Sequence, residues 1–381
     1  MPGVIEAVCG GLAIGFSVAV NAVLLGRVTG ISGIVGGILA RQSGLRWRLS
    51  FLGGLAGGGW ILRKFLPNTV PIVSGTVSTL RLAAAGLLVG FGTRLGSGCT
   101  SGHGVCGLGR LSKRSLVNVL VFMASGALTA ILTGSVSAYG AGSVVTKDLF
   151  TPDKNLLKSF VSFTTPAIMS LLGIVGASFA LDANVSKKVH DFASPIIGSA
   201  TGYLFAIGLG VAGMTNPVQV VRFLDFTKPY WNPSLAFVMG SALIVSLSAF
   251  SFLRKRKNQP LLSSQCYIPC VAEIDKNLII GGALFGAGWG LGGFCPGPML
   301  VSFFSRPEEQ ANQVVTGAML IGAFLYQQME KSRETSHDTA KGEDTRRETS
   351  RLNESENTSE RVTSNGYSVQ KVDSVFNEED G

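Results

Sequence analysis

Charged residues are scarce in this chain. Only 14% of its 381 residues are Asp, Glu, Lys or Arg, against roughly 25% in an ordinary soluble domain. That shortage excludes a conventional water-facing surface. The chain also lacks a basic segment ahead of its first apolar stretch, Ile5 to Leu25. A cleavable secretory signal opens on such a segment, so this stretch reads as a first membrane span. No carboxylate stands in the middle of an apolar window, since Glu6 and Asp182 lie near span ends. The sequence therefore gives no sign of an acidic proton relay inside the bilayer.

What is present points the same way. Hydrophobic residues make up 46% of the chain, and mean hydropathy is +0.38. Windows such as Leu116 to Val136 and Phe160 to Leu181 recur. Each is about the 20 residues a helix needs to cross a bilayer. The expected fold class is an all-α polytopic membrane protein with about nine spans, near 5–26, 49–63, 78–97, 112–136, 159–181, 195–213, 233–253, 276–294 and 308–327. The second of these is short. Four further apolar segments, 31–40, 99–109, 216–225 and 296–305, are too short to cross. They read as half-helices or re-entrant segments. Glycine occupies 50 positions, well above the ~7% of average proteins. Such glycine lets membrane helices approach closely and lets them break.

Residues 331–381 are rich in Ser, Thr, Glu, Lys and Arg and hold almost no large apolar residue. A segment of that kind is expected to be a disordered polar tail. Loop charge sets the expected orientation. Arg27, Arg41, Arg46, Arg48, Arg110, Lys113, Arg114, Lys187, Lys188, the run 254–257 and Lys276 fall on one side. The other side, with Arg63, Lys64, Arg81, Lys147, Lys154, Lys158, Arg222, Lys228 and Arg306, is poorer. The richer side is expected to be cytosolic, with the N-terminus outside and the tail inside.

Two stretches repeat. "GFGTRLGSGC", Gly90 to Cys99, and "GAGWGLGGFC", Gly286 to Cys295, both read G-x-G-x-x-L-G-x-x-C. Upstream, "GRVTGISG" from Gly26 and "GMTNPVQ" from Gly213 each follow a span. The chain divides into a first repeat half (1–140), a connecting span with its loops (141–194), a second half (195–330) and the tail (331–381). An odd connecting span inverts the second half. Inverted repeats with interrupted helices are a transporter architecture, with the solute held near the repeat interface.

"RLGSGCTSGHGVCGLGRLS" and "GALFGAGWGLGGFCPGPMLVSF" resemble the two signature motifs of the YeeE/YedE family of sulfur-compound transporters. "GMTNPVQVVRFLD" and "WNPSLAFVMGSAL" are similar to it too, and the likeness covers roughly residues 5–327. The resemblance implies thiosulfate import along a path that uses more than one cysteine. It also implies a fusion of two half-length family members. Cys99 and Cys295 sit in matching motifs, and Cys106 is a weaker counterpart. No cysteine lies between 106 and 266, so any further family cysteine expected there is absent.

The candidate path residues follow from chemistry. A neutral thiol at Cys99 or Cys295 is a weak donor suited to a soft sulfur acceptor, and weak binding allows release. Gly98, Gly102, Gly293 and Gly297 leave backbone N–H groups uncovered beside those thiols. Short helices starting after each cysteine aim a positive end at an anion. Thr100 and Ser101 add hydroxyls. Arg94, inside an apolar span, either attracts the anion or holds the loop through carbonyls. His103 either bonds within its loop or meets the solute. Cys99, His103 and Cys106 lack a fourth ligand for a structural metal site, so no metal and no other cofactor is expected. Cys266 and Cys270 fall in a loop on the expected cytosolic side, where they are plain thiols or accept sulfur. The expected partners are a small thiosulfate-like anion, the lipid bilayer and a cytosolic sulfur acceptor, with no nucleic acid. A carrier, not an enzyme, is the leading expectation. A membrane sulfurtransferase using a cysteine persulfide, and a channel or permease for sulfite or selenite, stay open.

Overall fold

A computed structural model describes residues 3–72, 77–140, 152–179, 183–263, 265–269, 271–333 and 335. Among the described residues every regular element is helical. Met1–Gln327 forms one compact unit. Of the residues beyond it, 328–333 and 335 are described and helical. Residues 331–333 and 335 of the expected disordered tail are thus helical, and the rest of it lies outside the described residues.

The first half holds α1 (Val4–Leu25), the short α2 (Ile31–Leu39), α3 (Leu45–Phe65), α4 (Thr79–Leu95), a π-helix (Thr100–Gly107), α5 (Lys113–Leu132) and one further turn, α6 (Ser135–Ala138). The connecting helix is α7 (Lys154–Phe179). The second half holds α8 (Ala183–Val211), α9 (Pro217–Leu224), α10 (Ser234–Lys255), α11 (Lys276–Gly292), α12 (Pro296–Ser305) and α13 (310–327). All nine expected spans and all four short segments coincide with helices. The second span, expected to be short, runs 21 residues. Its ends carry Arg46, Arg48, Arg63 and Lys64, which hide it from a hydropathy window. Among the described residues five helices are long and apolar enough to cross a membrane by themselves, or up to seven if each bent pair is one span. α5, α7 and α10 keep Leu120, Leu128, Leu132, Met169 and Ile244 exposed, as lipid-facing sides require.

Two of the short segments follow a span across a bend. α4 and the π-helix meet at 44°, and α11 and α12 at 41°. Each pair is a broken span or a re-entrant segment, in line with the expected half-helices. The breaks are built alike. Ser97 and Gly293, each one residue after a motif glycine and two before the cysteine, both adopt left-handed backbone, with φ 60° and 70°. Cys99 and Cys295 follow in extended conformation as the helix N-caps. Gly293 must also stay bare because a β-carbon there would strike the Pro217 carbonyl. Gly26 and Gly213, the other matched pair, close α1 and α8 in the same left-handed region.

Packing contacts show the inversion directly. Along α1, Gly10 lies on Gly208 and Ala212 while Ser17 bonds Thr201, so α1 and α8 run antiparallel. Along α4, Gly96 lies on Gly281 and Gly292 lies on Ala85, so α4 and α11 also run antiparallel. Each helix then pairs in parallel with a helix of the other half. α1 runs beside α10 as α8 runs beside α3, and α4 runs beside α13 as α11 runs beside α5. The α1 contact joins Gly11 to Val238 and Gly15 to Ala242. Exchanging the halves maps one set of contacts onto the other.

Glu6, set aside in the sequence as a span-end residue, is buried. It caps the Gly3 N–H at 2.8 Å and accepts the Asp153 N–H at 2.6 Å, fastening α1 to the start of α7. Asp182 lies outside the described residues.

Candidate functional site

The two breaks come together. Thr100 Oγ1, one residue past Cys99, donates to Cys295 Sγ at 3.3 Å. The Gly297 N–H also lies at that sulfur. Cys99 Sγ lies 3.3 Å from Ser101 Oγ, and the same hydroxyl accepts the Ile31 N–H at 3.1 Å. Cysteines from opposite ends of the fold thus share one cluster with the start of α2. The Gly30 and Gly102 backbones pass each other beside it, and Gly297 faces Ile31, Phe205 and Leu209. Cys99 offers no side-chain cap to the π-helix it begins, so first-turn N–H groups there are uncovered donors. α12 opens on Pro296 and Pro298, which have no N–H, and the Met299 N–H bonds the Cys295 carbonyl.

Two cavities border the segment after Cys99, and a third lies beyond Met214. The central one, about 260 Å³, is walled by Thr100, Ser101, Gly104, Cys295, Trp289, Met123, Met214 and Met239 among apolar side chains. A second, about 510 Å³, has Gly98, Gly102 and His103 on one wall. Alternate faces of the segment after Cys99 therefore line different cavities, and Cys99, 1% exposed, sits between them. The third, about 440 Å³, is lined by Thr69, Gly213, Asn216 and Asp153. Met214 borders the central cavity while Gly213 and Asn216 border this third one. Thr215 between them bonds the Thr69 carbonyl.

The other candidates fall around these walls. His103 is held within its loop, with Nδ1 on Ser115 Oγ at 3.0 Å and Nε2 on the Gly96 carbonyl at 3.1 Å. A side chain at Gly98 would meet that ring. Cys106 is buried with its thiol against the Thr29 backbone, within electrostatic range of Cys99. Arg94 projects over Gly36 into the second cavity. Its guanidinium makes no hydrogen bond among the described residues, so it is not a carbonyl clamp for the loop. Cys266 is exposed, and Cys270 lies outside the described residues.

Sequence reasoning missed who accompanies Arg94. Arg27, Arg48, Arg110 and Arg114 line the same cavity, although all four had been read as loop anchors. The loop between α10 and α11 covers them. It is pinned to the end of α1 by Leu261 N to Val23 O, Leu262 N to Leu24 O and Tyr267 N to Gly26 O, at 2.9, 3.0 and 2.9 Å. Arg110 donates to the Pro269 carbonyl at 2.7 Å and Arg114 to that of Glu273 at 2.9 Å. Arg27 lies between the rings of Trp47 and Tyr267. Burial lowers the Arg27 pKa, and the Tyr267 hydroxyl opposes that shift. No local motif encodes such a meeting of loops.

A "Probable transporter" of Xylella fastidiosa is 43% identical over 106 residues, 28% of this chain and 72% of its own length. The chain belongs to this family of transporters. A second "Probable transporter" of the same organism is 40% identical over 127 residues, 33% of this chain and 93% of its own length. Each relative is therefore well under half as long as this chain. Residues 195–338 also match a family of unknown function, DUF6691. The chain is a multi-pass membrane transporter, and the interrupted, inverted spans are the part of its fold suited to holding a solute.

Proposed function

We propose that this transporter imports thiosulfate, or a closely related small sulfur-containing anion, through the Cys99–Cys295 cluster. The observation that carries the reading is the convergence of two matched cysteine breaks at one point, with the Thr100 hydroxyl on Cys295 Sγ. Thiosulfate has a soft terminal sulfur and a hard oxygen end. Neutral thiols and the apolar, methionine-walled central cavity suit the sulfur. Uncovered N–H groups at the start of the π-helix suit the oxygens. Donors of this strength bind weakly enough to release. Arg94, Thr100, Ser101, Gly98, Gly102, Gly293 and Gly297 shape the path around the thiols, and His103 braces it.

The short relatives fit a further part of the proposal, that this chain joins two half-length transporters into one. The reading needs no catalysis. A sulfurtransferase would need an activated thiolate, and a thiolate would repel a dianion. The test is uptake into proteoliposomes of thiosulfate labelled separately on its two sulfurs. Both labels should enter together, and mass spectrometry of the protein in turnover should find no persulfide on Cys99 or Cys295. A persulfide that forms and decays at the uptake rate would replace the carrier with a sulfurtransferase. Stronger competition by sulfite or selenite than by thiosulfate would move the substrate to another anion.

A further inference from the structure

The cavity beside Arg27 is lined by five arginines, and Arg114 has a carboxylate partner, Asp275, at 3.7 Å. None of the described residues lining it is a carboxylate. Arg27 is 7% exposed, and its Nε has no hydrogen-bond partner among the described residues. Arg48 lies within range of both Arg27 and Arg94, and like charges so placed repel. Arg48 spends its donors on the Gly33 carbonyl at 2.6 Å and on Gln42 at 3.2 Å. Arg27 and Arg94 remain as guanidinium groups facing the cavity with no anionic partner among the described residues. A buried cation is costly unless something compensates it.

The opposite end of the fold lacks this charge. Loops equivalent in the two halves cover the two outer cavities: 65–69 borders the Asp153 cavity, and 267–271 borders the arginine cavity. The Asp153 cavity has no Arg or Lys in its lining. The repeat alone therefore does not demand the arginines. They are an addition to one end.

We propose that the Arg27 cavity is a second binding station, which takes the oxygen end of a small divalent oxyanion and is covered by the α10–α11 loop. The proposal rests on the transport reading for its place beside Cys99. Its chemistry stands independently. Planar guanidinium forks match the paired oxygens of a sulfate-like group better than ammonium groups do. Gly98 and Gly102 border both this cavity and the segment that carries Cys99, so an anion held here lies next to the thiol cluster. Tyr267, stacked on Arg27 with the guanidinium carbon 4.3 Å from its ring centroid, is the cover nearest the charge.

Trp47 reports on the station. Its Nε1 is tied to Asn21 Oδ1 at 3.2 Å, and Arg27 lies 5.2 Å from its ring centroid. Sodium sulfate and sodium thiosulfate, titrated into the purified full-length protein in detergent, should change tryptophan emission saturably. Sodium chloride at matched ionic strength should not. Trp47→Phe should remove the response. Arg27→Lys and Arg94→Gln should each raise the midpoint about tenfold or more, the effect of losing a hydrogen bond to a charged group. Unchanged midpoints in both variants would overturn the station. If Arg27→Lys fails to fold, Arg94→Gln decides alone, since it breaks no protein hydrogen bond. The Cys99→Ala/Cys295→Ala protein separates the two readings. It should keep the sulfate response while losing uptake. Full uptake with an intact response would remove the cysteine path and leave the station standing. Loss of the response in the cysteine variant alone, with Arg27 and Arg94 variants normal, would place the bound anion at the thiols and overturn the station.

Discussion

Alanine at Cys99 and at Cys295, singly and together, tests whether the two breaks act as one cluster. Each change removes one sulfur and one weak donor. An ordinary hydrogen bond contributes ~0.5–1.5 kcal/mol. If that energy acts on the barrier, each single variant should slow uptake about two- to tenfold. Independent stations would multiply these factors. The geometry argues for dependence. Thr100, the neighbour of Cys99, holds Cys295 Sγ at 3.3 Å, and Ser101 links Cys99 to Ile31. Residues that share such a network couple by ~0.5–3 kcal/mol, so the double variant should miss the product of the singles by about twofold or more. Initial rates of radiolabelled thiosulfate uptake into proteoliposomes, normalised to reconstituted protein, measure this. Thermal unfolding of each variant separates lost folding from lost transport. Multiplicative losses, within the ~0.3–0.5 kcal/mol scatter of independent sites, would refute the single cluster. Wild-type rates in the double variant would return both cysteines to packing.

Arg94→Gln should raise the half-saturating thiosulfate concentration more than it lowers the maximal rate, and Arg94→Lys should restore only part, because a point charge replaces a planar fork. Uptake measured across a concentration series decides this. Gly281→Ala should lower the unfolding midpoint by the equivalent of ~1–3 kcal/mol, since its β-carbon would strike the Gly96 backbone. Gly53→Ala, where a β-carbon meets nothing within 4 Å, should be neutral or stabilising by up to ~1 kcal/mol. A cytosolic C-terminus predicts that the sequons at Asn353 and Asn357 stay unglycosylated when the chain is made in a eukaryotic secretory pathway. Glycan on either site would reverse the orientation. Deleting 335–381 should leave uptake rates within about twofold, because the repeat ends before it.

Read from the sequence alone, the spans were legible because lipid demands long apolar helices whose backbone bonds close within themselves. Glycine and proline marked where those helices break, and the G-x-G-x-x-L-G-x-x-C repeat revealed two halves. An odd connecting span then implied the inversion, which the antiparallel α1–α8 and α4–α11 contacts display. These properties are local or arithmetical, so one dimension suffices for them. The direction of the chain after each break was not legible. A left-handed residue at Ser97 or Gly293 fits a hairpin as well as a shallow bend, and only packing selects 44° and 41°. The meeting of Thr100 with Cys295 joins residues 195 positions apart, and no periodicity reports such a distance. The arginine cavity was the least legible of all. Arg27, Arg48, Arg110 and Arg114 each resemble an ordinary cytosolic anchor, because the positive-inside pattern needs no tertiary contact to explain it. Their convergence depends on the α10–α11 loop crossing from the other half of the chain to bond α1 and cover them. Charge identity is written along the chain, but charge proximity exists only after the halves have packed.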